Sequence, residues 1–196
     1  MAPRTPEQNE EIRRKTRRQI VDAAFELFAK DGYEATSIAA IAKNADVSKG
    51  LIYHYFESKQ NILEAILDQM VEVGDQILDF PDNFTAVDKI RQTVEGTFQF
   101  IEQEPEKGRL MISLALQPDA FSNLKTQIDE VNENQLALYI DILGDLGYEQ
   151  PELEAYRLGA MMDGFLLGYI TMGEEYPLQE MKQKILDEYV HHKKNN

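Results

Sequence analysis

The residues with chemistry to offer lie early in the chain. Ser48, Lys49, Gly50, Leu51, Tyr53, His54 and Tyr55 combine a hydroxyl, an ammonium, a missing side chain, an apolar tip and three polar aromatics on one short stretch. A hydroxyl, a cation and the backbone N–H groups of a helix start can meet a phosphate, and a glycine lets a DNA backbone or base edge approach. Upstream, Arg13, Arg14, Lys15, Arg17 and Arg18 form a dense run of cations suited to a phosphate backbone. Each feature has a plainer reading beside that one. Ser48 serves equally as a helix cap, Gly50 as a packing contact and the aromatics as core. The basic run serves as a solvated helix face, because Glu10 with Arg14 and Glu11 with Lys15 are spaced for i, i+4 ion pairs.

Other chemistries find little material. The chain of 196 residues has no cysteine, which removes disulfides, thiolate metal sites and cysteine nucleophiles. Its three histidines are His54 and the tail pair His191 and His192, too few and too scattered for a histidine triad or a three-histidine metal centre. Carboxylates such as Glu95 lie on a polar face with Gln92, Gln99 and Glu102 and show no paired acid–base spacing. The expectation is a protein that is not an enzyme and carries no cofactor or metal. With no apolar segment after Met1 and no run of about 18 apolar residues, the expected location is the cytoplasm, with no membrane contact.

The formal net charge of −15 argues against a nucleic-acid partner only until it is divided along the chain. Residues 1–60 balance at +1 and residues 61–196 at −16, so any contact with DNA belongs to the first part.

Positioning those residues falls to helices. No sustained period-2 alternation occurs, and the apolar residues recur at helical spacing throughout, which predicts an all-α fold. Thr5, Pro6 and Gln8 open a first helix over about 6–30, with Ile20, Ala23, Ala24, Leu27 and Phe28 on its buried stripe and Gly32 as its stop. A two-turn helix follows from Thr36 or Ser37 to about Ala45, then Ala45-Asp46-Val47, then a second short helix capped by Ser48. Two such helices and a tight turn have the dimensions of a helix-turn-helix, whose second member enters the major groove. Ser58 caps a long fourth helix with Ile62, Ile66, Met70, Val73 and Ile77 on one stripe, ending by Pro81. Further helices are expected over about 84–104, 106–117, 121–145, 151–173 and 177–192, punctuated by prolines and Gly147.

The residues Ile20, Ala23, Ala24, Leu27, Phe28, Gly32, Tyr33, Thr36, Ser37, Ile41, Ala42, Ala45, Val47, Ser48, Lys49, Gly50, Ile52, Tyr53, Tyr55, Phe56, Ser58 and Lys59, in that register, closely resemble the DNA-binding domain of TetR-type (tetracycline-repressor-like) transcriptional regulators. The resemblance covers about the first third of the chain. It implies a DNA-binding domain over 1–60, a ligand-binding and dimerisation domain over 61–196, and a homodimer built through the last two helices. It implies that Thr36 and Ser37 meet phosphate, that Ser48, Lys49, Gly50, Leu51, Tyr53, His54 and Tyr55 form the recognition surface, and that Lys59 clamps a flanking phosphate. Leu51 at a base-facing position suggests contact with a thymine methyl. One departure is Asp46, where the family commonly has Gly; Asp tolerates positive φ, so the turn is strained rather than excluded.

What the resemblance implies for the second part is release of a pseudo-palindromic operator by an unknown small-molecule effector. Phe98, Ile101, Met111, Leu114, Ile128, Val131, Tyr139, Met162 and Phe165 are candidates for a pocket, or else for packed core. Asn132, Gln135 and Tyr139 share a helical face and could orient a ligand there. Asp163 stands in an otherwise apolar helix and either contacts a cationic effector or pairs with Arg157, Arg109 or a partner subunit. Gly159, Gly164 and Gly168 would let another helix come close. The alternative reading is a helical ligand-binding adaptor that acts through a protein partner; the presence of Thr36, Ser48, Lys49, Tyr53 and Lys59 favours DNA.

Overall fold

The computed structural model describes residues 5–115 and 125–190. Among them are nine α-helices, a 3-10 turn at Gly173–Glu175 and no strand, which is the all-α class expected. In order they are α1 (Pro6–Asp31), α2 (Ile38–Asn44), α3 (Lys49–Tyr55), α4 (Lys59–Leu78), α5 (Ala86–Gln103), α6 (Pro105–Ala115), α7 (Lys125–Asp145), α8 (Pro151–Met172) and α9 (Leu178–Tyr189). The expected helix ends within 116–124, the side chain of Leu114, and His191 with His192 lie outside the described residues. No described helix is long and apolar enough to cross a membrane.

The chain forms two compact units, Met1–Met70 and Val71–Asn196. The expected boundary at 60/61 fell at the start of α4, whereas the units part inside it. Ile62, Leu63, Ala65 and Ile66 are buried, so the first turns of α4 belong to the core of the N-terminal unit.

In that unit the local signals act as written. Gln8 N–H donates to the Thr5 hydroxyl at 3.3 Å and Thr5 N–H to the Gln8 side chain at 3.0 Å, a reciprocal cap that starts α1. Gly32, at φ 85°, ends it. Ile20, Val21, Ala24 and Phe28 of α1 are buried with Ile41 and Ala42 of α2, Ile52 of α3 and the start of α4. Two side-chain amides tie α2 to α1: Gln19 Nε2 donates to the Ala45 carbonyl at 2.7 Å and Asn44 Nδ2 to the Ala23 carbonyl at 3.3 Å.

The turn between α2 and α3 closes on Asp46, at φ 50° the one non-glycine residue with positive φ among those described. Val47 N–H donates to the Ala42 carbonyl at 2.9 Å and Asp46 N–H to that of Lys43 at 3.3 Å, the paired closure that follows a helix when the next residue turns left-handed.

In the C-terminal unit Ile90, Phe98, Ile101, Tyr139, Leu143, Leu158, Met162, Phe165 and Leu186 form one core drawn from α5, α7, α8 and α9. The Phe98 and Phe165 rings lie 5.1 Å apart. α6 comes in close because residue 108 is glycine: a Cβ there would stand 2.4 Å from Leu166 Cδ1.

The Asp46 geometry sets a test. Asp46→Gly relieves left-handed strain but adds unfolded-state entropy, so stability measured by urea unfolding should change by less than about 0.5 kcal/mol. Asp46→Val, branched at Cβ, should lose about 1–2 kcal/mol. Equal stabilities for the two variants would contradict the left-handed turn.

Candidate functional site

A helix of seven residues offers few faces, and α3 commits only a narrow one to the core. Ile52 is fully buried and Phe56, the residue after the helix, nearly so, while Lys49, Gly50, Leu51, Tyr53 and His54 are exposed and Tyr55 is half-buried. Tyr53 keeps 51% of its surface. Lys49 Nζ lies 5.9 Å from the Tyr53 ring centroid, and the His54 and Tyr55 rings meet edge to face at 5.4 Å. The outward side of α3 is therefore a cation, two polar aromatics, an aliphatic tip and a bare backbone at Gly50. Packing does not require that glycine: a Cβ there would meet only Ser48 Oγ, at 3.9 Å.

The two serines combine both of their readings. Ser48 Oγ accepts from Leu51 N–H at 3.1 Å and Ser37 Oγ from Ala40 N–H at 3.1 Å, so each caps its helix. Among the described residues no acceptor takes either hydroxyl proton.

Thr36 and Lys59 turn inward, unlike the outward pair that the family resemblance implies. Thr36 is buried, and its hydroxyl donates to the Gly32 carbonyl at 2.8 Å, with that of Leu27 at 3.3 Å. Lys59 Nζ donates to the carbonyls of Tyr33 at 2.7 Å, Thr36 at 3.1 Å and Glu34 at 3.4 Å, and stands 4.2 Å from the centroid of the Tyr33 ring. An ammonium has three protons, and three carbonyls in the α1–α2 loop take them. Here Lys59 is a staple between that loop and the start of α4. Arg17 lies along the same unit with its guanidinium 5.1 Å from the centroid of Phe56, beside the end of α3.

In the C-terminal unit the expected ligand residues separate. Phe98, Tyr139 and Met162 are buried in the core, while Met111, Asn132, Gln135 and Asp163 are exposed. The polar stripe of α7 is thus not on a buried face. Its link to the core is the Gln135 amide, which donates to the Tyr139 hydroxyl at 2.9 Å. Burial pushes the Tyr139 phenol up, the Gln135 hydrogen bond opposes this, and nearby Asp163 adds to the rise. Asp163 is not the ion-pair partner of Arg157 or Arg109: Arg157 binds Glu154 and Glu188, and Arg109 lies 3.5 Å from Glu106. Partial burial raises the Asp163 carboxyl from its ordinary value.

An open groove of about 640 Å³ lies instead between the last turns of α4, α5 and the start of α6. Val73, Ile77 and Phe100 supply apolar surface, and the polar lining mixes the cations Arg91 and Lys107 with the carboxylates Asp88, Glu95 and Glu104. The end of α4 is strapped to α5 at its side, where Gln92 Nε2 donates to the carbonyls of Ile77 at 2.8 Å and Asp79 at 3.1 Å. Gln92, Glu95 and Gln99 belong to the polar face of α5 that the sequence marks out; Glu95 and Gln99 are exposed there, and what the spacing does not reveal is the wall of α4 opposite them.

Comparison with known proteins bears on both regions. The model of the family described as bacterial regulatory proteins, tetR family, matches residues 20–66, which span the buried part of α1, all of α2 and α3, and the first turns of α4. The uncharacterized HTH-type transcriptional regulator YvkB of Bacillus subtilis (strain 168) is 31% identical over 167 residues, covering 82% of this chain and 86% of its own length. Among solved structures, a transcriptional regulator from Rhodococcus sp. Rha1 matches with a TM-score of 0.75 at 20% identity, over 89% of this chain and 94% of that one. The regulator FadR from Bacillus subtilis, in complex with stearoyl-CoA, matches with a TM-score of 0.69 at 23% identity, over 88% and 96%. At these identities the two structures speak for the fold.

The Lys59 staple predicts a separation of roles. Lys59→Met should destabilise the chain by about 1–3 kcal/mol in urea unfolding, the range for lost hydrogen bonds to a charged group, whereas Lys49→Met should stay within about 0.5 kcal/mol. Equal small effects would show that the three carbonyls do not hold Lys59.

Proposed function

Since the chain belongs to the tetR family of bacterial regulatory proteins, we propose that it is a homodimeric repressor released from a pseudo-palindromic DNA operator by a small-molecule effector. As a helix-turn-helix transcriptional regulator it needs a surface that meets DNA. The observation that carries the reading is α3 itself, seated through Ile52 with Lys49, Gly50, Leu51, Tyr53 and His54 facing out. Ser37, Ser48 and Lys49 hold the phosphates, Gly50 admits the backbone, and Leu51 meets a thymine methyl. Thr36 and Lys59 act from beneath, by fixing the loop that carries the start of α2.

The dimer forms on the outer face of α8. Leu153, Tyr156 and Leu167 keep 65%, 63% and 48% of their surface, at the spacing of one helical stripe. Ala160 and Gly164 lie between them, and a Cβ at Gly159 or Gly164 would meet no atom within 4 Å. A stripe of large apolar residues around small ones fits the same stripe of a second copy, as a two-fold interface requires. Two-fold symmetry then presents two α3 helices roughly 34 Å apart, one turn of duplex.

We place the effector in the groove beside α4. Its volume lies within the ~300–1,000 Å³ of small-molecule sites, and it opens without displacing packed side chains, which binding at Phe98, Tyr139 or Met162 would demand. Among the described residues α4 is the element that runs from one unit into the other. An effector that binds one orientation of α4 more tightly shifts the population away from the spacing that fits the operator. The stearoyl-CoA bound by the Bacillus subtilis FadR structure supports a small-molecule effector for this fold, without naming the one used here.

Selection of duplexes from a random pool, on protein unfolded and refolded to strip small molecules, tests the regulator. The expected outcome is a pseudo-palindrome whose affinity falls steeply with salt, with a log–log slope about 2 shallower in Lys49→Ala, which removes one contact from each protomer. Binding without sequence preference would refute it. Tyr156→Glu with Leu167→Glu should yield monomers by sedimentation with operator affinity sharply reduced; an unchanged dimer would exclude this face.

A further inference from the structure

The first turns of α1 are helix without a core. From Pro6 to Lys15 every residue is exposed, and the first fully buried side chain is Ile20. Ten such residues extend about 15 Å at 1.5 Å each. A polar segment that short does not stay helical alone in water. Here it is held by continuity with the buried half of α1, by Pro6 in the first turn and by the Thr5–Gln8 cap. The chain thus stabilises a projecting rod whose own surface buries nothing.

The rod carries the basic run. The i, i+4 ion pairs expected for Glu10 with Arg14 and Glu11 with Lys15 do not form: of the five cations, Arg18 alone has an ion-pair partner among the described residues, Asp22 at 3.9 Å, with both side chains well exposed. Arg17 locates the run. Its guanidinium stands over the Phe56 ring, which adjoins the C-terminal end of α3, and Arg13 lies one turn farther out on the same side of α1. Arg13 and Arg14 therefore continue the exposed cationic surface of α3 outward, while Lys15 lies round the helix with Arg18. The three acids of the rod, Glu7, Glu10 and Glu11, stand nearer its tip. A chain with −16 on residues 61–196 gains nothing in solubility from a local block of cations, so the block calls for a polyanion.

Resting on the operator-binding reading, we infer that Arg13 and Arg14 form a second DNA contact, which grips phosphates of the duplex flanking each half-site. The rod reads no bases. It lengthens the footprint and adds affinity that depends on flanking duplex and on salt, while α3 alone sets sequence preference.

The test compares the full chain with the variant Arg13→Gln, Arg14→Gln on the duplex selected above, trimmed to its two half-sites or extended by about 10 base pairs at each end. Glutamine forms helix about as well as Arg and Lys, and an unchanged far-UV circular dichroism spectrum checks that α1 persists. The unsubstituted protein should bind the extended duplex at least about tenfold more tightly than the trimmed one, with a log–log salt slope steeper by about 3–4, because both protomers' rods engage. The variant should lose that difference and keep the same ranking of operator sequences. A variant that keeps the length dependence, or that weakens on both duplexes alike, overturns the inference and leaves the regulator standing. Absence of sequence preference in the unsubstituted protein overturns both.

Discussion

Seven residues of helix cannot hold themselves together in water, so everything α3 presents depends on the seat beneath it. That seat is Ile52 in the core and Phe56 at the helix end, with Ser48 closing the start and the left-handed Asp46 aiming the chain into it. Because one side chain within the helix carries the burial, the rest of its surface is free to be polar, cationic or absent without cost to the fold. Gln19 and Asn44 fix α2 against α1, and Lys59 fixes the loop ahead of α2 against α4. The three helices and the start of α4 thus form one rigid mount for a short exposed surface.

Charge follows the same division of labour. The N-terminal residues hold nearly balanced charge with the cations displayed, and the remainder is strongly acidic. A long-range field of that sign keeps a polyanion away from the second unit and leaves the first as its landing place. The second unit instead carries an open groove by α4 and an apolar stripe along α8, one suited to a small molecule and the other to a second chain.

Signals carried by neighbours in sequence were legible before any coordinates. The reciprocal cap at Thr5 and Gln8, the stop at Gly32 and the tolerance of Asp46 for positive φ all act within a few residues, and all three appear in the structure. Side-chain destinations across the fold were less legible. Thr36 and Lys59 are of the types that meet phosphate, and nothing in their spacing says that carbonyls 23–26 residues away, or across the α1–α2 loop, would engage them. The i, i+4 spacing of Glu10 with Arg14 permitted an ion pair that the exposed rotamers do not make, since such a pair gains only a few tenths of a kcal/mol. In the second unit, periodicity separated apolar from polar faces but not groove from solvent. Asn132 and Gln135 stand exposed on α7 rather than on a buried face, and Gln99 stays exposed as its polar face implies, but along an open groove that the spacing does not reveal.

The central claim is that one exposed helix face, mounted on Ile52, is where this chain meets its operator. Amide and side-chain NMR shifts of the isotopically labelled protein, titrated with the selected duplex, test it most directly. The account predicts that the largest changes fall on Lys49, Gly50, Leu51, Tyr53 and His54, with Ile52 and the Lys59 ammonium retaining their free-state environments. Dominant changes on the acidic second unit, with α3 unperturbed, would contradict it.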